Sequence, residues 1–141
     1  MSTHRFPYVE VDPSLGVASA LPYAPITLIH GQEQIAASAL VDSGAALNVL
    51  PYDMGLQLGA VWEQQTVPVQ LSGNLAASEA RALLLTGQVA DFSPVRLAFA
   101  WSESNNVPAI LGQVNFFMEF DVCFFRSQLL FEIRPKGSLV D

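Results

Sequence analysis

The chain has 141 residues, of which 51 % are hydrophobic and 13 % charged, and a formal net charge of −7. This length fits one domain with a moderate core. The acidic balance argues against nucleic acid and against an anionic membrane surface as partners. So apolar a composition in a small domain calls for a partner that hides surface, or for a large apolar groove. The single cysteine, Cys123, excludes an internal disulfide and suits a reducing, cytoplasmic compartment. No signal peptide or spanning helix is expected. Residues 1–12 carry charges and Pro7, and the stretch from Pro13 to Gln32 is broken by Gly16, Pro22, Pro25 and Gly31.

In chain order the pattern reads mostly as strands. Tyr8-Val9-Glu10-Val11 alternates as an edge strand would, ended by Asp12-Pro13. Pro25 to His30 and Gln34 to Ala36 flank Gly31-Gln32-Glu33, a hairpin signal, and the second arm continues to Val41. Leu47 to Leu50 is a short apolar element stopped by Pro51, and Asp53 to Gly59 reads as a helical turn or loop. Val67 to Leu71 and Ala80 to Leu85 form the arms of a longer hairpin, with Ser72-Gly73-Asn74 as turn residues. Val95 to Trp101 alternates strongly, Ser102 to Pro108 is a polar loop, and Ala109 to Gly112 is a short buried strand. Gln113 to Glu119 is the best helix candidate. Val122 to Phe125 and Leu129 to Ile133 close the chain as a strand pair around Arg126-Ser127-Gln128. The expectation is an all-β single domain over 1–141, with one short C-terminal helix. Residues 1–25 form an N-terminal extension with the edge strand, and the core spans 26–134.

The stretch with chemical content is Ala39-Leu40-Val41-Asp42-Ser43-Gly44-Ala45-Ala46. An apolar strand runs directly into a carboxylate, a hydroxyl and a glycine. Asp is disfavoured in strands and costly to bury unpaired, so an Asp at that point needs a reason. Gly44 offers freedom for a tight turn, and Ser43 can hydrogen-bond its neighbours to hold it. A carboxylate at the mouth of a rigid loop suits acid–base chemistry on water. Asp-Ser-Gly is also ordinary turn vocabulary, and the three residues alone leave both readings open.

Other chemistries find less support. A chymotrypsin-type serine often sits in Gly-Asp-Ser-Gly, but Val41 holds the first position, and neither His4 nor His30 has the setting of a base. No nucleophile elbow, phosphate loop or zinc spacing is present, so no metal or cofactor is expected. His30 reads as a surface residue, Cys123 as a small buried apolar one, and Trp62 and Trp101 as packing residues.

Taken together, these pieces resemble the retropepsin-like aspartic proteases, the retroviral proteases and their small bacterial relatives. Asp42-Ser43-Gly44-Ala45 looks like the family's catalytic Asp-Thr/Ser-Gly loop. The hairpin tip Leu71-Ser72-Gly73-Asn74-Leu75 falls where the family places its flap, with fewer glycines than retroviral flaps carry. Ile110-Leu111-Gly112 before a short helix looks like the apolar-apolar-Gly element that buttresses the loop. The phrase from Ile110 to Phe125 looks especially like the bacterial branch. The resemblance spans roughly Ile26 to Ile133 and implies a closed β-barrel or sandwich. It also implies a catalytic Asp42, loop support from Ala45, Ile110, Leu111 and Gly112, and substrate contacts from residues 71–75. Gln113 stands where retroviral members carry a charged residue, so their structural ion pair is not expected.

Hydrolysis by this route needs two carboxylates sharing one proton. Asp53, Asp91 and Asp121 are followed by Met54, Phe92 and Val122, so no second Asp-Thr/Ser-Gly exists. A twofold homodimer would supply the second Asp42 and hide apolar surface. In the family, terminal strands of both subunits interleave, which points to Tyr8–Val11 and Leu129–Ile133. The expected function is a homodimeric aspartic endopeptidase acting on peptide or protein substrates. The alternative is a catalytically silent module of the same fold for peptide binding or dimerisation.

Overall fold

The computed structural model describes residues 3–137. Among these, β1 (His4–Pro7), β2 (Val9–Glu10) and β3 (Ala20–Leu21) come first, with a 3-10 segment over Pro13–Ser19. The hairpin of β4 (Tyr23–His30) and β5 (Glu33–Val41) follows, then β6 (Asn48–Leu50), α1 (Tyr52–Gln57) and β7 (Pro68–Val69). The second half holds β8 (Ala80–Gln88), β9 (Val95–Ser102), β10 (Ile110–Leu111), α2 (Phe116–Glu119), β11 (Phe120–Phe125) and β12 (Leu130–Pro135).

Six strands close a barrel in the order β4-β5-β10-β6-β9-β8, because β8 returns to pair with β4. The short β7 hangs on the outside of β8. Inward residues repeat every second position, as the pleat requires. Ala24, Ile26 and Leu28 of β4, Leu83 and Leu85 of β8, and Leu97, Phe99 and Trp101 of β9 are all buried in one cluster. Closure depends on Gly87, where a Cβ would come within 2.6 Å of the Leu97 side chain and 3.2 Å of Ile26. A second sheet, β1-β12-β11, is not hydrogen-bonded to the barrel but packs on it, with Phe131 and Ile133 buried in the same core cluster.

Four expectations are corrected. The strand expected at 8–11 is present as Val9–Glu10, but a further strand precedes it, His4–Pro7, pairing His4 with Ile133 and Phe6 with Phe131. The charges on His4 and Arg5 hide its alternation, yet Phe6 packs on Phe131 with ring centroids 5.5 Å apart. Val9–Glu10 pairs separately with β3. A second helix, α1, follows Pro51 and packs Gly55 directly on the fully buried Trp101, leaving no room for a side chain there. The C-terminal helix is only Phe116–Glu119, because Gln113 and Val114 are laid alongside Ala45–Asn48, where the Val114 carbonyl accepts from the Asn48 N–H. Finally, β12 is not a free edge, since it is hydrogen-bonded to β1 on one side and β11 on the other.

Smaller differences have local causes. Cys123 is half-buried, its Sγ 3.8 Å from an Arg134 guanidinium nitrogen. His30 donates from Nδ1 to the Leu58 carbonyl at 2.9 Å and is likewise half-buried. Trp62 and Trp101 do pack together, 5.1 Å apart and edge to face, with Tyr52 stacked on Trp101.

Candidate active site

Asp42 is the first residue beyond β5, and two backbone ladders fix its position. Leu40 and Val41 pair in parallel with Ile110 and Leu111 of β10, and the Asp42 N–H donates to the Leu111 carbonyl at 3.0 Å. The chain then turns: the Ala45 N–H returns to the Asp42 carbonyl at 3.1 Å, and the Gly44 N–H donates to Asp42 Oδ1 at 2.9 Å. That last bond orients the carboxylate. Gly44 does not use left-handed backbone. Its value is clearance, because a Cβ there would sit 3.3 Å from Asp42 Oδ1.

Ser43 is exposed and enters the loop's bonding through its carbonyl, which accepts from Gln113 Nε2 at 2.8 Å. Past the turn, Ala45–Asn48 runs alongside Gly112–Val114. Gln113 and Val114 donate to Ala45 and Ala46, Leu47 bridges Val114, and the Asn48 N–H donates to the Val114 carbonyl. Gly112 is pinched in this ladder, and a Cβ would strike the Ala45 and Leu47 carbonyl oxygens. The expected support residues Ala45, Ile110, Leu111 and Gly112 are therefore brought together under Asp42.

Two residues that sequence reasoning passed over complete this support. Asn48 is fully buried, and its Oδ1 accepts from the Gly112 N–H at 2.8 Å. Its amide donates to the Ala98 carbonyl at 3.0 Å and to Asn115 Oδ1 at 3.1 Å. Asn115 Oδ1 also accepts from the Ala98 N–H, and its amide donates to the Arg96 carbonyl. A pair of amides thus bolts the loop to β9 with its hydrogen-bonding needs met, which is the condition for burying them. The signal was present: a polar Asn inside Leu47-Asn48-Val49-Leu50.

A cavity of about 280 Å³ opens beside Asp42, its walls formed by Ala45, Leu47, Leu71, Leu75 and Ile110 among others. The segment between β7 and β8 forms its roof. Leu71 is buried against Val49, Ala80 and Ile110, with Leu75 half-buried beside it. Ser72 also reaches the cavity, whereas Gly73 and Asn74 lie on the exposed 3-10 turn Gly73–Leu75 and do not line it. Among the described residues, Asp42 is the one carboxylate lining this cavity.

No protein-family model matches the chain, and no curated protein matches its sequence. Solved structures do match. A retropepsin-like aspartic protease from Rickettsia conorii aligns with a TM-score of 0.62 at 10 % identity, covering 94 % of this chain and 91 % of that one.

The fold is retropepsin-like.

EIAV protease in complex with the inhibitor HBY-793 also aligns, with a TM-score of 0.46 and 16 % identity over 66 % of this chain and 82 % of that chain. Both structural neighbours are aspartic proteases. At these identities the likeness is one of fold, and the chemistry at Asp42 rests on its own geometry. Within the retropepsin-like barrel, Gln113 takes an uncharged role. It clamps the turn from below through Ser43, where a charged side chain would need a partner of its own.

Proposed function

We propose that the chain is an aspartic endopeptidase that works as a homodimer, with Asp42 of each subunit forming one catalytic pair. The observation that carries this reading is the Asp42 carboxylate, oriented by the Gly44 N–H at the edge of an apolar cavity. Among the described residues no second carboxylate shares that cavity, so the pair calls for a second copy.

Two facing carboxylates hold one proton between them, because like charges so close do not both ionise. The ionised Asp42 takes a proton from water as its oxygen attacks the peptide carbonyl carbon. The protonated Asp42 of the other subunit gives its proton to the carbonyl oxygen. The tetrahedral intermediate then collapses: the C–N bond breaks, the proton gained from water passes to the departing nitrogen, and one hydroxyl of the intermediate returns its proton to the other Asp42, which restores the shared proton. Apolar walls at Ala45, Leu47, Leu71 and Ile110 suit an extended peptide with apolar side chains beside the scissile bond.

The test is cleavage of a peptide library from acid to neutral pH, with Asp42→Asn in parallel. Asn keeps the shape and removes the acid–base group, so cleavage should vanish while the melting curve is unchanged. Cleavage that persists in a clean Asp42→Asn preparation would rule the mechanism out. The packed roof at Leu71 favours a second reading, a silent peptide-binding module. Peptide capture by wild type with no Asp42-dependent cleavage would select it.

A further inference from the structure

We infer that the space inside the β7–β8 hairpin, beside the Asp42 cavity, is an accessory pocket for a basic side chain, lysine or arginine, of the bound peptide. The inference deepens the protease reading and rests on it for the presence of a peptide. The preference for positive charge shows in binding as well as in cleavage, so the two can fail separately.

Three observations carry it. First, the hairpin is not closed to its tip. β7 pairs with β8 only at Pro68–Arg81 and Val69–Ala80, and beyond that point the arms part. The chain between them makes the 3-10 turn Gly73–Leu75 and returns through residues 76–79. The gap is a cavity of about 410 Å³, walled by Val69, Ala77 and Ala80 and bearing the polar groups of Gln70, Ser78 and Glu79. Gln70 also lines the Asp42 cavity, so the two spaces meet at its side chain. Its Nε2 donates to the Leu71 carbonyl at 2.9 Å, which holds it at that junction. An extended peptide running out of the Asp42 cavity past Gln70 brings alternate side chains to the second space.

Second, Glu79 is fixed in place and still open to a ligand. Its N–H donates to Glu103 Oε1 at 3.1 Å, and the Glu103 N–H donates to the Glu79 carbonyl at 2.9 Å. Glu79 Oε2 accepts from Arg81 Nε at 2.9 Å, yet Arg81 does not line the cavity. The guanidinium is drawn to Trp62 instead, donating from Nη1 to its carbonyl at 2.8 Å and lying 4.4 Å over its ring. The Glu79 side chain is 50 % exposed. A carboxylate has about four lone-pair sites, so a second cation can bind Glu79 without displacing Arg81.

Third, the charge at this end of the site has one sign. The charged residues lining the two cavities are Asp42 and Glu79, both acidic. Glu103 sets a second carboxylate against Glu79, so two acids surround the one guanidinium of Arg81. The whole chain carries −7. Such a field draws in a basic side chain and repels an acidic one. The aliphatic stem of lysine or arginine suits the apolar wall at Val69 and Ala77, while its charged head meets Glu79.

The experiment uses the full chain and peptides that share one apolar scissile pair, with a single lysine stepped outward from it on each side. Each is matched by a norleucine peptide, which keeps the stem without the charge. Wild type gives kcat/KM, and Asp42→Asn gives binding of the same peptides by fluorescence anisotropy. Three further changes are made in both backgrounds, with circular dichroism to check folding. Glu79→Gln removes the charge at nearly constant shape, and Ala77→Lys puts a competing cation on the exposed wall. Glu63→Gln removes an exposed charge that lines neither cavity. At one position lysine should be preferred over norleucine by about fivefold, the upper worth of an exposed ion pair. High salt should shrink that ratio. Glu79→Gln and Ala77→Lys should each abolish it, and Glu63→Gln should keep it. A lack of lysine preference at every position overturns the pocket. So does a preference that survives in folded Glu79→Gln or Ala77→Lys, or one that Glu63→Gln also removes, since the field of the whole chain would then be its cause. If no peptide is cut but binding shows the Glu79-dependent preference, the pocket stands and the protease reading fails.

Discussion

Asn48 Oδ1 accepts the backbone N–H of Gly112 at 2.8 Å, joining positions 64 residues apart beneath the Asp42 loop. Neither residue touches the cavity, yet together they set where Asp42 sits. Gly112 is held against the Ala45 and Leu47 carbonyls, and Asn48 ties that contact to β9. Removing the Asn48 side chain would orphan the Gly112 N–H and strip Asn115 of one partner. Asn48→Ala should therefore destabilise the fold by roughly 3 kcal/mol, at one to three for each buried group left unsatisfied. Urea unfolding measures this, and a loss below about 1 kcal/mol would show that water or another group takes over the bonds.

Gly112→Ala tests the same support from the other side. Its Cβ would meet two carbonyl oxygens of a hydrogen-bonded ladder, which yields less readily than a flexible side chain. A destabilisation of about 1–3 kcal/mol is expected, as for other overpacked sites. Cleavage should fall more than stability, since the Asp42 loop is displaced directly. Parallel melting curves and single-turnover rates read both effects.

The pH profile of cleavage should be bell-shaped, with its optimum in the acid to mildly acidic range. On the proposed mechanism cleavage needs one carboxylate that accepts a proton and another that donates one, so it should fail at both extremes of pH. A flat or alkaline profile would point to a different nucleophile.

Acid stability has a separate contributor. The His4 ring lies 2.6 Å from Asp91 Oδ1, and this hydrogen bond holds the Asp91 carboxyl below its ordinary value of 3.8. A lowered folded-state value contributes stability above the unfolded one, and that contribution is lost as pH falls through the folded value. Asp91→Asn should melt earlier than wild type near pH 5, with the gap closing as pH falls below 3.8 and through the lowered folded-state value. Because Asp91 is on the surface, high salt should shrink the gap. A gap that widens in acid would refute the assignment.

The cavity roof makes a fifth case. Gly73 has φ +62° with nothing within 4 Å of a built Cβ, so a side chain there meets open space but strained backbone. Gly73→Val should cost about 1–2 kcal/mol locally and slow turnover if residues 71–75 move over substrate. Hydrogen exchange on residues 71–79 with and without a peptide ligand would read that motion directly. Unchanged kcat and unchanged exchange would make the roof a fixed wall.

Much of the barrel was legible because its strands obey a simple period. Ile26 and Leu28, or Leu97 and Phe99, announce a half-buried strand by alternation alone. The Asp42 turn was legible for the opposite reason, as a carboxylate ending an apolar run. What stayed hidden was tertiary. Nothing local in His4-Arg5-Phe6-Pro7 says strand, and Phe131, 125 residues away, supplies the surface that makes it one. Gln113 to Asn115 has no strong local argument against helix, and is kept out of it by the ladder with Ala45–Asn48. Gly44 and Ser43 both lie in the turn, where Gly44 gives clearance and Ser43 enters the bonding through its carbonyl.

The pairing of His4 with Ile133 also sets a clock on biogenesis. A ribosome delivers the chain from its N-terminal side, so β1 emerges with no partner and must wait for nearly the whole domain to follow. The barrel strands β4 to β10 have what they need to close among themselves before that. Phe6 stays wet until Phe131 arrives, and β11 gains its neighbour β12 in the same late event. Until then the three-stranded sheet does not exist. A nascent chain can thus carry a finished Asp42 loop before its terminal sheet has formed.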